Sequence, residues 1–107
     1  MDAQRKKGIL DVLVLSILEE EASYGYQIIR SVSEVMPVSE STMYPILRRL
    51  ESSDSVTTFT REYNGRMRKY YSITDNGRRK IDEFLEEWDQ IRAIYEFVNK
   101  RKKRLES

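Results

Sequence analysis

Val56-Thr-Thr-Phe-Thr-Arg-Glu-Tyr-Asn-Gly-Arg-Met-Arg-Lys-Tyr-Tyr-Ser-Ile73 is the stretch on which the fold of this chain turns. Its two halves, Val56–Tyr63 and Met67–Ile73, are rich in β-branched and aromatic residues, which fit a pleated, half-buried surface. Asn64-Gly65 between them is the strongest short-range hairpin signal, because a type I′ turn needs positive φ at both central positions. As a two-residue turn, that pair sets Tyr63 opposite Arg66, Phe59 opposite Tyr70 and Val56 opposite Ile73. Val56, Tyr71 and Ile73 then share the face turned to the core.

The segments before the hairpin read as three helices. Ile9, Leu10, Val12, Leu13, Val14, Leu15, Ile17 and Leu18 make the first, about Gly8 to Glu20, apolar nearly all round. So small a domain has too little protein to cover such a helix, which predicts burial against a second subunit, with Ile9 and Leu13 in that contact. Ala22-Ser23-Tyr24-Gly25 reads as a short connection. The second helix, about Gly25 to Val35, carries Ile28, Ile29, Val32 and Val35 at helical spacing and ends at Met36-Pro37. Ser39 is a natural N-cap for a third, about Glu40 to Ser53. Met43, Ile46, Leu47 and Leu50 face inward there, and Ser41, Thr42, Tyr44, Pro45, Arg48 and Arg49 face outward.

After the hairpin, Thr74 caps a long final helix, about Asp75 to Lys103. Phe84, Trp88, Ile91, Tyr95 and Val98 fall on it at spacings of four, three, four and three, an a/d seam that extends back to Ile81. These five are the expected dimer contacts of the helix. Its basic end, Lys100 to Arg104, suits the helix dipole.

The chain has 107 residues, 39% of them hydrophobic and 35% charged, with only 4 Gly and 2 Pro. That length holds one core, and that composition favours helices with wet faces over a β-sandwich. The longest apolar run, Val12–Leu15, is far short of a membrane span, and Met1–Lys7 lacks the apolar stretch of a signal peptide. A cytoplasmic protein with no membrane partner is expected. The absence of Cys and His removes disulfides, a thiolate nucleophile and the commonest metal ligands and general base. No enzyme, cofactor or metal is expected. The net charge is +1, but it is unevenly spread. Ala22–Lys80 holds ten basic and six acidic residues, and an acidic cluster follows in Asp82, Glu83, Glu86, Glu87 and Asp89. That segregation suits one face for a polyanion.

Three helices, a hairpin and a closing helix spell a mainly α winged helix-turn-helix, residues 1–73, with a dimerisation helix over residues 74–107, the two forming one compact unit. A helix fits the major groove, and a hairpin with a basic tip reaches a neighbouring phosphate row or minor groove. The third helix has the polar capped start and paired cations that groove entry asks for. The tip supplies Arg61, Asn64, Gly65, Arg66, Arg68 and Lys69. Pro45 breaks the helix pattern, leaving the Ser41 carbonyl unpartnered at a cost of up to ~3 kcal/mol. A flat apolar contact to a thymine methyl would give it a use.

Three further stretches carry a family resemblance: Ser23-Tyr-Gly-Tyr-Gln-Ile28, Ser39-Glu-Ser-Thr-Met-Tyr-Pro-Ile-Leu-Arg-Arg-Leu-Glu51, and Arg68-Lys-Tyr-Tyr-Ser-Ile-Thr74 running into Asn76-Gly77. In this order and spacing the chain resembles the PadR family of bacterial transcription regulators over nearly its full length. The single helix after the wing is similar to the short subfamily, which includes regulators that bind drugs or other flat aromatic molecules. The resemblance implies a homodimeric repressor on an inverted-repeat operator of double-stranded DNA, dimerised through its first and last helices. By position it implies DNA contacts at Tyr24, Ser41, Thr42, Tyr44, Pro45 and Arg48, with Arg66, Arg68 and Lys69 serving the wing. Two departures stand out. Ser55 occupies a position where the family usually has Gly, and a non-Gly residue in a left-handed cap costs roughly 1 kcal/mol. Arg92 stands where drug-binding relatives place a carboxylate, one turn after the interface Trp.

Each assignment has a plainer competitor. Arg48 has a salt-bridge partner in reach at Glu51, and Tyr24 can staple the second helix. The cations of the wing can serve only as a charged hairpin edge, with Arg68 the foremost candidate for a structural role. Trp88 is either seam core or one of two indoles sandwiching a planar aromatic ligand across the dyad. As a whole, the chain reads as a ligand-responsive DNA-binding regulator; the other class is a winged-helix scaffold that recruits a protein along its coiled-coil seam.

Overall fold

The computed structural model describes residues 1–107. Helix α1 runs over Ala3–Glu20, five residues earlier than the apolar pattern predicts. Asp2 explains the difference, because its carboxylate accepts the Arg5 amide at 2.8 Å and caps the polar first turns. Leu10, Val14, Leu15 and Leu18 are buried within the chain itself, while Ile9 and Leu13 are half-buried.

Ser23–Tyr24 forms a short strand, β1, where the sequence suggested only a connection. It is followed by α2 (Gly25–Val35), α3 (Glu40–Ser52), β2 (Val56–Tyr63), β3 (Arg66–Ile73) and α4 (Asp75–Glu106). The sheet is antiparallel in the order β1-β3-β2. The hairpin register is the one the Asn-Gly turn dictates, with Tyr63 opposite Arg66, Phe59 opposite Tyr70 and Val56 opposite Ile73. Asn64 and Gly65 take φ of 51° and 78°. Val56, Tyr71 and Ile73 join the helical residues in one core cluster, as does Ile81 of α4, so the core continues past residue 74.

The Ser39 hydroxyl accepts the Thr42 amide at 3.3 Å, which opens α3. At its other end the chain makes a Schellman turn: the Ser55 amide donates to the Leu50 carbonyl at 2.9 Å and the Asp54 amide to Glu51 at 3.1 Å. The left-handed residue there is Asp54, with φ of 57°, so the cap strain expected at Ser55 falls instead on a residue whose short polar side chain tolerates it. Ser55 is fully buried. Its carbonyl packs against Gly77, where an added Cβ would sit 2.3 Å from that oxygen. The start of α4 can therefore lie against the α3–β2 turn only because residue 77 has no side chain.

Thr74 caps α4 by accepting the Gly77 amide at 3.1 Å. The helix is 32 residues long, about 48 Å at 1.5 Å per residue. Its N-terminal turns pack on α1, with Phe84, Trp88 and Ile91 half-buried. Beyond Ile91 its apolar side chains are open to solvent: Ile94 is 64% exposed, Tyr95 63%, Phe97 62% and Val98 56%.

Candidate nucleic-acid interface

Tyr44 projects from the outer face of α3 and lays its ring over the start of α2. A Cβ at Gly25 would come within 3.1 Å of that ring, so a side chain there would push the ring back by a few tenths of an ångström. Around it opens a groove of about 490 Å³, lined by Tyr24, Gly25, Tyr26, Tyr44, Arg66, Met67, Arg68, Lys69 and Tyr71. Five residues assigned to DNA from the sequence (Tyr24, Tyr44, Arg66, Arg68 and Lys69) thus meet around one concavity between α3 and the wing.

The cations around it are differently engaged. Arg48 is exposed and makes no ion pair; Glu51, its expected competitor, takes the Lys69 ammonium at 3.1 Å and the Thr58 hydroxyl at 3.2 Å. The Glu51 hydrogen bond holds the Lys69 ammonium above the usual lysine range. The Tyr71 hydroxyl is also held above its ordinary value, by burial first. Arg68 is clamped between two rings, its guanidinium carbon 4.4 Å from the Tyr24 centroid and 5.0 Å from that of Tyr63. Arg61 lies over Tyr70 at 4.8 Å and Phe59 at 5.4 Å. Arg66 is exposed and has neither ion-pair nor ring partner, and Asn64 and Gly65 form the exposed tip beside it. Pro45 is exposed on the outer face of α3. Ser41 and Thr42 are exposed too, but their hydroxyls sit 3.0 and 3.1 Å from Ser39 Oγ and belong to the helix cap. Arg49 is drawn off the outer face by an ion pair with Asp11 of α1. Tyr26, 54% exposed on the rim, is a groove residue that the sequence reading did not single out. Its one signal is an aromatic off the apolar stripe of α2.

A second concavity, about 300 Å³, lies between α1 and α4. Ile9, Val12, Phe84, Trp88 and Ile91 line it with Arg5, Asp11, Lys80, Glu83 and Glu87. Phe84 and Trp88 are 5.8 Å apart, and Arg5 lies 5.9 Å from the indole centroid. Arg92 is outside this groove, paired with Asp89 at 2.9 Å.

A helix-turn-helix unit whose third helix stands beside a cationic β-wing defines a winged-helix DNA-binding protein. Residues 14–83 match the model of the Transcriptional regulator PadR-like family. An uncharacterised protein of Lysinibacillus sphaericus is 30% identical over 93 residues, which cover 82% of this chain and 85% of that one. Among solved structures, a PadR family transcription regulator from Clostridium difficile R20291 is 33% identical, covering 83% of this chain and 97% of its own, with a TM-score of 0.76. A Streptococcus transcriptional regulator superposes with a TM-score of 0.82 at 27% identity, over 92% and 99% of the two chains. The chain belongs to the PadR-like family. It is a DNA-binding transcription regulator and not an enzyme. No helix in it is long and apolar enough to cross a membrane.

Proposed function

We propose that the protein is a homodimeric repressor that reads an inverted-repeat operator and is released by a small aromatic or drug-like ligand. In this reading α3 enters the major groove. Arg48 and Tyr44 reach base edges, Pro45 meets a thymine methyl, Ser41 and Thr42 border the phosphates, and Arg66 with the Asn64-Gly65 tip follows the adjoining backbone. Tyr24, Arg68 and Lys69 line the same groove. The observation that carries this is the placement of two unpaired guanidinium groups, Arg48 on α3 and Arg66 on the wing, near a groove from which the carboxylate Glu51 has been neutralised by Lys69. Dimerisation would use Ile9 and Leu13 of α1 with Phe84, Trp88, Ile91, Tyr95 and Val98 of α4, and the ligand would lie against Trp88.

Fluorescence anisotropy with the duplex upstream of the protein's own gene tests it, against a shuffled duplex of equal length at two salt concentrations. Much tighter binding to the upstream duplex, at two protomers per site, is the expected result. Equal, weak binding to both that collapses with salt would leave only non-specific phosphate attraction. The ligand is sought with a panel of flat aromatic compounds, read by Trp88 fluorescence.

A further inference from the structure

Two polar contacts join the walls of the α1–α4 groove to the recognition helix. Lys80, on the α4 wall, donates to Ser55 Oγ at 2.6 Å and to Ser53 Oγ at 3.1 Å, and those two hydroxyls are themselves 2.8 Å apart. Ser53 is the C-cap of α3 and Ser55 closes its Schellman turn. Lys80 has no carboxylate within ion-pair distance, so these hydroxyls are its partners. Asp11, on the α1 wall, holds Arg49 in the last turn of α3 by an ion pair. The helix that faces DNA is thus fastened on its inner side at two points, and each fastening ends on a residue that also lines the Trp88 groove.

We propose that Lys80 and Asp11 are positioning residues that transmit the state of the Trp88 groove to α3. A group held in the groove shares its walls with Lys80 and Asp11. Any shift of α4 against α1 pulls on the C-terminal end of α3 twice, through Ser53 and Ser55 beyond its last turn and through Arg49 within it. Rigid elements joined by short polar contacts are one physical route by which two sites share a coupling energy, and such coupling is reciprocal. The inference rests on the reading of α3 as the DNA-facing helix. It adds that DNA held on α3 must be felt at the indole.

Trp88 is the only tryptophan in the chain, so it reports on its own groove. Two signals are followed while the upstream duplex is titrated in: anisotropy of a label on the DNA, and the emission of Trp88. The wild type is expected to change its Trp88 emission in step with DNA saturation. Lys80→Met keeps the aliphatic stem and Ser55→Ala keeps a small buried residue. Both are expected to bind the duplex within about threefold of wild type and to lose most of the emission change, while Lys80→Arg restores part of it. An emission change undiminished in both variants overturns the proposal, as does a wild type that binds DNA with a silent Trp88. Failure of the wild type to bind any duplex appears in the anisotropy signal instead, and refutes the DNA-facing role of α3 on which the proposal stands.

Discussion

Asp11 shows how one residue can be paired and still be costly. It faces Arg49, yet its carboxyl is held above the ordinary value of 3.8, because loss of hydration outweighs the attraction of Arg49, with Lys80 and Lys7 helping less. A carboxyl whose folded pKa is raised binds its proton more tightly folded than unfolded. Its stabilising contribution is present in full below 3.8 and is lost as the pH rises through the raised value. Asp11→Asn, which keeps an acceptor for Arg49, should therefore melt higher than wild type at neutral pH. The gap should close in acid, as thermal scans across pH would record. Gly77 is the opposite case, a residue with no tolerance at all. Gly77→Ala drives a methyl into the Ser55 carbonyl and against Ile73, whose Cγ1 would lie 2.7 Å away. A loss of about 1–3 kcal/mol follows from such overpacking, visible as a drop in melting temperature. At the interface, the two unpaired arginines should separate by role. Arg48→Ala should cost about 1–3 kcal/mol and relax discrimination at the bases it touches. Arg66→Ala should weaken binding to all duplexes alike and reduce the salt slope by about one. Anisotropy over a salt series on upstream and shuffled duplexes distinguishes the two.

Elements were legible in the sequence wherever a period or a turn chemistry repeats. Asn64-Gly65 specified the hairpin down to its pairing, because a type I′ turn admits one register and a one-residue slip would turn Val56, Tyr71 and Ile73 out of the core. Ser39 and Thr74 marked two helix starts by the same local chemistry. The first turns of α1 escaped because Ala3–Lys7 has no apolar stripe and its cap, Asp2, lies next to the chain end. Strand β1 escaped because two residues have no period; Ser23–Tyr24 is a strand only through its pairing with Tyr71 and Tyr70. The candidate interface was legible as a set of residues and not as a set of roles. That Lys69 belongs to Glu51, Arg68 to two tyrosine rings and Arg49 to Asp11 depends on partners 18, 44 and 38 positions away at the widest, which no spacing rule reaches. Pro45 remains the one break in α3 that local rules count against the fold. Pro45→Ala gives the Ser41 carbonyl its helical donor back and should raise the melting temperature. It should also narrow the preference for the upstream over the shuffled duplex. A stabilised variant with full preference would make Pro45 a helix fault without a role in reading DNA.

At the scale of the whole molecule, the principal extents are 63 × 26 × 22 Å, and α4, about 48 Å long, can supply at most about three quarters of the longest. The core consumes its first turns, down to Ile81, and the helix continues for 25 residues more without burying another side chain fully. Ile94, Tyr95, Phe97 and Val98 present a continuous apolar surface there that a single chain has nothing to cover. A second copy would cover it and would hold two copies of α3 at a fixed separation, which an operator with half-sites ~34–36 Å apart demands. Tyr95→Asp with Val98→Asp separates assembly from folding, because neither residue touches the core cluster. The double variant should keep the wild-type helical spectrum and sediment as a monomer. It should also lose the dependence of melting temperature on protein concentration that a dimer shows. Each protomer would then meet its half-site alone, without the effective concentration its tethered twin supplies. Affinity for the upstream duplex should fall by about 10²–10⁴, toward that for the shuffled one. A variant that stays dimeric would move the interface off the free half of α4 and onto the half-buried apolar residues of the proposed contact, Ile9 and Leu13 of α1 with Phe84, Trp88 and Ile91 of α4.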